Sequence, residues 1–432
     1  MDNDFYKLTM GYFIFTHYRG VHVRFRFINR HRHIPLAAII DEEELRAQLD
    51  HARTLSYRRT DIAYLRGQNV YHDNMFSEAY LAFLANDTLP PYTLTRSGDQ
   101  FEFTTEGPWE SVSPWETLFL AIVSELLYRT LMRDMNASEL DSMYARAKDK
   151  LFRKLQRIKR EPDICIADFG FRRRHSHLWH KYVLEMCREE LKEQFTGASS
   201  TWMAFNQDLV PIGTNAHELP MVLTALADTP EGMLDAQYEV LRRWGNLFPS
   251  RGLRIVLHDT YGSRQFLKNM PGALAEEVAT EWRGFRLDSG DPLQESEATI
   301  RWYERMGVNP YIAGKAVIPS DGLDTDLILK LHGALQGRIL HPFGWGTMLT
   351  NDFGGCHPRG QEKVVLRGVS LPLTWDDAMR GHSFVCKVDQ ANGRSVVKLS
   401  NNILKATGPK DAIALYERVF APEGRVSEEV LV

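Results

Sequence analysis

No CxxC pair occurs in this chain. Its four cysteines, Cys165, Cys187, Cys356 and Cys386, stand far apart, which excludes a zinc ribbon or dithiol redox motif and suits a reduced, cytoplasmic protein. No GxxxxGK[ST] stretch is present and no GxGxxG falls at a strand-to-helix turn, so the common nucleotide cradles are missing. Nothing approaches the ~20 apolar residues of a membrane span. The start, Met1-Asp2-Asn3-Asp4, lacks the basic-then-apolar order of a signal peptide. Neither sign of charge is in excess: 52 Lys and Arg stand against 56 Asp and Glu, and a net charge of -4 gives no field for holding nucleic acid. The expectation is a soluble protein with neither membrane nor nucleic acid as partner.

A chain of 432 residues suits two domains, one of which has room to be a barrel of ~250 residues. Residues 1–113 mix helical stretches with alternating runs such as Val21-His22-Val23-Arg24-Phe25-Arg26-Phe27 and Gln100-Phe101-Glu102-Phe103, the period of half-exposed strands. Ser113-Pro114-Trp115-Glu116 reads as a capping box that opens a buried helix to about Arg133. A second helix begins near Ser138 and stops at Pro162.

Over 114–360 short apolar runs at 164–167, 255–257, 284–287, 311–313 and 338–340 alternate with helical ones at 175–192, 261–269, 292–306 and 325–332. That order predicts a parallel α/β sheet, with polar loops gathered at the strand ends. Alternation returns in 361–432, at Phe384-Val385-Cys386-Lys387-Val388 and Val396-Val397-Lys398-Leu399. This tail is expected to pack on the N-terminal strands.

Chemistry concentrates in the loops. Gly213-Thr214-Asn215-Ala216-His217-Glu218 puts a histidine between a Gly-Thr loop and an apolar helical segment. Strand alternation turns Arg286 and Asp288 of Arg286-Leu287-Asp288-Ser289-Gly290-Asp291 to one side, so a cation and an acid can address one ligand, sugar hydroxyls or Mg2+ among them. Phe343-Gly344-Trp345-Gly346-Thr347 offers backbone N–H groups and a hydroxyl to an anion, late in the barrel region where phosphate sites lie. Ser320-Asp321-Gly322-Leu323 is a weaker loop of the same kind, an ordinary turn by composition. Asp168-Phe169-Gly170-Phe171-Arg172-Arg173-Arg174 combines an acid, a glycine and three arginines after a strand. His175, His177 and His180 do not read as a metal site, because on a helix the first two point apart.

Together with Asp4-Phe5-Tyr6-Lys7-Leu8-Thr9-Met10, these motifs resemble, in order and spacing, those of nicotinate phosphoribosyltransferases. The resemblance implies an irregular parallel α/β barrel joined to a smaller sheet-containing α+β domain built from both ends of the chain, in a homodimer whose sites are shared between subunits. It implies nicotinate, phosphoribosyl pyrophosphate and ATP as substrates, Mg2+ as cofactor, and nicotinate mononucleotide and pyrophosphate as products in NAD biosynthesis.

In that pattern His217 matches a histidine phosphorylated by ATP, and Asp288 an acid near ribose and Mg2+. Tyr6, contributed by the partner subunit, Thr214 and Arg286 match nicotinate contacts. Thr347 matches a phosphate contact, and Asp168, Arg172, Ser320, Asp321, Gly322, Gly344 and Gly346 complete the expected substrate site. Two stretches depart from the pattern: His258 before Asp259-Thr260, and Asn401-Asn402-Ile403-Leu404-Lys405 in place of an acid, proline and glycine run. The rival readings are a nicotinamide phosphoribosyltransferase, a silent binding scaffold of the same fold, and a barrel aldolase or isomerase using Lys315.

Overall fold

The computed structural model describes residues 2–71 and 74–428. Three strands come early: β1 (His22–Asn29), β2 (Tyr92–Ser97) and β3 (Gln100–Pro108). Six short ones follow: β4 (Ile166–Asp168), β5 (Phe195–Ala198), β6 (Ile255–Leu257), β7 (Gly284–Leu287), β8 (Ala316–Pro319) and β9 (Phe343–Trp345). A hairpin of β10 (Lys363–Leu366) and β11 (Val369–Thr374) precedes β12 (Phe384–Ala391) and β13 (Arg394–Ser395).

The first and last segments share one antiparallel sheet, ordered β13-β12-β1-β3-β2. Alternation in β1 sends Val23, Phe25 and Phe27 into the core, while Arg24 reaches Asp389 of β12 through two hydrogen bonds of 2.9 and 2.7 Å. The helix Trp115–Met132 covers the apolar side, where Phe119 stacks on Phe103 at 3.9 Å between ring centroids and meets Phe27 edge-on at 5.0 Å. A ring buried in this way stabilises the fold by roughly 1.5–3 kcal/mol.

The remaining strands β4 to β9 pair in parallel, in two sheets ordered β5-β4-β9 and β6-β7-β8. The helices His177–Leu191, Ser263–Asn269, Pro292–Arg305 and Thr325–Leu335 lie between them. The α/β character with parallel strands is as expected, while neither sheet closes, so the strands stand in two parallel sheets and no closed barrel is formed among the described residues. Ala198 makes a single bridge to Pro211 and Ala316 a single bridge to Leu340. Pro211 has no N–H with which to extend a ladder, and Pro342 follows Leu340 by two residues.

Four local expectations are corrected. Residues 311–313 form a turn between Pro310 and Gly314, with Ile312 83% exposed, and the strand is β8 instead. Residues 338–340 are a turn with only the Leu340 bridge, and of 396–399 only Lys398 makes a bridge, to Thr407. Ser113 does not cap its helix: its backbone is helical, and its hydroxyl accepts from Lys7 Nζ at 3.1 Å. Glu116, the supposed partner in the box, pairs with the same lysine at 2.6 Å.

Burial also sets an acid limit. His175 and His382 are pushed down to about 3 and His217 and His258 to about 4, in each case mainly because burial disfavours the charged ring. The unfolded chain takes up these protons near pH 6.5, whereas the fold refuses them until pH 3–4. Stability is therefore lost as pH falls through that window. The melting temperature is expected to drop steadily from pH 6.5 to 4, and a flat profile there would contradict the assignment.

Candidate active site

A cavity of about 840 Å³ lies between the parallel strands and the antiparallel sheet. Tyr6, Arg172, Thr214, His217, Arg286, Asp288, Ser320, Asp321, Gly322, Gly344, Gly346 and Thr347 all line it. Asp168 does not, which corrects its expected place among the substrate contacts. Its carboxylate is wholly buried, accepting from Gly170 N at 2.8 Å and meeting His180 Nε2 at 3.0 Å. That pair fixes the turn presenting Phe169 and Arg172. The other two histidines of the run diverge: His175 stacks on Phe353 and His177 packs on Trp202.

His217 occupies the N-cap position of the helix Glu218–Leu226 without capping it. Its ring instead lies with Nδ1 2.9 Å from Thr260 Oγ1 and Nε2 3.0 Å from Asp288 Oδ2. A carboxylate only accepts, so Nε2 carries the proton and the Nδ1 lone pair accepts from the threonine hydroxyl. Burial and the charge of Lys398 push the imidazole down to about 4, against the pull of Asp259 and Asp288. The ring is therefore neutral at any physiological pH, with its one lone pair, on Nδ1, turned to the threonine hydroxyl.

Asp259 Oδ1 lies 3.7 Å from His217 Nε2, and one ligand atom from each of His217, Asp259 and Asp288 fits within 4.8 Å. Asp259 Oδ1 is buried with no hydrogen-bond partner. Asp288 is the more open of the acids, its side chain 29% exposed against 1% for Asp259. Burial alone would raise it, but the hydrogen bond to His217 and the charge of Arg286 hold it well below the usual carboxylate range. Two ionised carboxylates with an unsatisfied oxygen suit a hard cation such as Mg2+, which takes oxygen ligands and completes its shell with water and phosphate. Ser320 Oγ, 3.2 Å from Asp288 Oδ1, steadies that acid from the other side.

Near the start of the chain, the helix Phe5–His17 is pressed against the Gly213 loop. A Cβ on Gly213 would sit 2.4 Å from Tyr6 N, so only glycine permits this approach. Thr9 Oγ1 donates to Thr214 O, and Lys7 Nζ lies 2.5 Å from Glu218, fixing both edges of the His217 loop. Tyr6 is thereby held at the cavity of its own chain. Its hydroxyl accepts from Arg172 at 3.1 Å and donates to Glu116 at 3.3 Å. Arg286 donates to Asn215 O at 2.9 Å through one terminal nitrogen, while its buried Nε has no partner.

Residues 164–369 match the nicotinate phosphoribosyltransferase (NAPRTase) family, and residues 1–124 match the NAPRTase N-terminal domain. The chain belongs to the nicotinate phosphoribosyltransferase family. The nicotinate phosphoribosyltransferase of Vibrio cholerae is 28% identical over 98% of this chain and 93% of its own, with a TM-score of 0.81. That of Porphyromonas gingivalis is 26% identical over 97% and 98%, at 0.79. A Saccharomyces cerevisiae structure shares the fold at 22% identity, covering 97% and 96%, with a TM-score of 0.78.

This nicotinate phosphoribosyltransferase family member carries cavity residues that motif reading missed. Arg30 of the loop after β1, Lys387 of β12, Lys398 and Lys405 all line the cavity with Arg172 and Arg173. Lys405 pairs with Asp321 at 2.5 Å, but Lys387 has no acid in ion-pair range among the described residues. Burial and the neighbouring Lys398 and Arg30 push its amine well below the usual lysine range. A wall of cations this short of counter-ions is built to receive an anion.

Gly344 has a plainer reason than anion binding, since a Cβ there would meet the Phe169 ring at 2.5 Å. Lys315 precedes β8 and donates to Thr280 O and Trp282 O at 2.8 and 2.7 Å, turned away from the cavity, so the lysine named for the aldolase reading does not reach the site.

Proposed function

We propose that the enzyme joins nicotinate to phosphoribosyl pyrophosphate, with ATP hydrolysis coupled through phosphorylation of His217. The observation that carries this reading is that one cavity holds a neutral, carboxylate-oriented histidine together with Arg286 and a wall of cations. The pyridine nitrogen attacks ribose C1 while the bond from C1 to pyrophosphate breaks, so negative charge grows on the leaving group and positive charge on the ring. Thr347 and the cations of the cavity would receive that negative charge. Arg286, with an unpaired Nε, can offer its fork to the nicotinate carboxylate. Tyr6 and Phe169 supply ring faces for stacking.

In the ATP step a lone pair of the His217 imidazole attacks the γ-phosphorus, the N–P bond forming as the P–O bond to ADP breaks. Asp288 and Asp259 would hold Mg2+, which when bound supplies charge neutralisation on the phosphates. Two chains are expected to pair as a homodimer.

A cavity arginine whose Nε is unpaired, Arg286, favours the acid over its amide. Initial rates with nicotinate and with nicotinamide are expected to give a kcat/KM at least ~10²-fold higher for nicotinate, the size of a charge-assisted hydrogen bond lost. A preference for nicotinamide would overturn the assignment.

A further inference from the structure

Residues 398–405, which include the stretch 401–405 that departs from the family pattern, lie directly across the acid-bearing loops. Leu399 N and Ser400 N both donate to Thr260 O at 3.0 Å. Lys405 Nζ donates to Asp288 O at 3.3 Å. Between these contacts Asn401 is buried, and every polar atom of its side chain is used. Its Oδ1 accepts from Ser263 N at 2.8 Å, and its Nδ2 donates to Ser263 Oγ at 2.6 Å and to Ser289 O at 3.4 Å. The acid of the family pattern would accept but would not donate; an amide does both.

The side chain thus locks the Asn401 backbone in place, and the backbone N–H donates to Ser289 Oγ at 3.1 Å. A serine hydroxyl has one proton. With an N–H arriving at its oxygen, that proton is directed to its other neighbour, Asp259 Oδ2, in a very short contact. Pinning one oxygen stops the Asp259 carboxylate from turning about its own bond. Its second oxygen, Oδ1, is left facing His217 Nε2 at 3.7 Å with no other partner.

We propose that Asn401 and Ser289 are positioning residues for the phosphorylation of His217: through them, the segment 398–405 fixes the Asp259 carboxylate against the imidazole. The proposal rests on the phosphohistidine reading above and adds to it a relay running from Asn401 to Ser289, to Asp259 and to His217. Neither Asn401 nor Ser289 lines the cavity, so neither touches substrate. Their effect should appear in the ATP step while nicotinate binding is spared.

The test measures phosphate incorporation from γ-labelled ATP, nicotinate KM and the melting temperature in the full-length enzyme and in Ser289→Ala, Ser289→Thr, Asn401→Ala and the Ser289→Ala/Asn401→Ala double variant. Ser289→Ala and Asn401→Ala are each expected to slow incorporation by ~10–100-fold, the usual loss when an outer partner of a site ligand is removed. Nicotinate KM should stay within about twofold. Ser289→Thr keeps the hydroxyl and should recover most of the rate. The double variant should be no slower than the slower single one, because both act through one carboxylate.

Full-rate incorporation in Ser289→Ala, a Ser289→Thr as slow as Ser289→Ala, additive losses in the double variant, or a nicotinate KM that rises with the rate loss would each overturn the relay. If Asn401→Ala does not fold, the Ser289 pair decides alone. The two readings separate cleanly. Label retained in His217→Ala removes the phosphohistidine itself, whereas label lost there but full rate in Ser289→Ala removes only the relay.

Discussion

His217→Ala incubated with γ-labelled ATP is expected to incorporate no phosphate, against stoichiometric labelling of the unaltered enzyme. The substitution removes a nucleophile that is buried in the cavity and held by Thr260 and Asp288. It leaves Arg286 and the cation wall in place, so a slow synthesis of nicotinate mononucleotide without ATP should persist. Loss of the ATP effect alone would mark His217 as a carrier of phosphate rather than a general base, because a missing base would slow transfer with and without ATP. His217→Asn, which retains a hydrogen-bonding group but no nucleophilic lone pair, should behave like the alanine variant. Labelling that survives at the wild-type level in His217→Ala would refute the role. Acid provides a second check: with the imidazole held down to about 4, labelling should persist at pH 5.5, where an ordinary histidine would already be mostly protonated and unreactive.

Arg286 carries the second large effect. Arg286→Ala should lower kcat/KM for nicotinate by ~10²-fold or more, about 3 kcal/mol, because the ligand carboxylate loses a charged donor in a site screened from water. Arg286→Lys keeps the charge but not the fork, and it also loses the bond that Arg286 makes to Asn215 O beside His217. It should recover only part of the loss. Nicotinamide turnover, slow to begin with, should change by much less. Equal losses for both pyridines would show that the arginine supports the loop rather than reading the acid.

The cavity loops were legible because each sits where a short apolar run hands over to a helical one, and the runs 255–257 and 284–287 coincide with strands. Composition misled where a long-range partner took over a local role. Ser113, Pro114 and Glu116 have the spacing of a capping box, but Lys7, more than a hundred residues earlier, binds both polar side chains. Asp168 looked like a ligand residue from its place after a strand, and His180 holds it in the core instead. Tyr311 and Ile312 read as strand and are the exposed tip of a turn, because Pro310 and Gly314 outweigh two apolar side chains.

The largest omission has a single cause. Arg30, Lys387, Lys398 and Lys405 belong to no catalytic motif; alternation foretold that the tail packs on the N-terminal strands, but not the register of β12 on β1 that brings these side chains to the cavity.

That pairing also bears on how the protein is made. Val23 of β1 lies opposite Ala391, so at ~5–20 residues per second a ribosome needs tens of seconds after making one before it makes the other. Throughout that interval one edge of β1 awaits its neighbour, in a chain whose covering helix Trp115–Met132 and parallel strands are already being produced. Because β12 and the residues that follow it bring three of the cavity's lysines, the cation wall is complete only once the last strands of the sheet have been made.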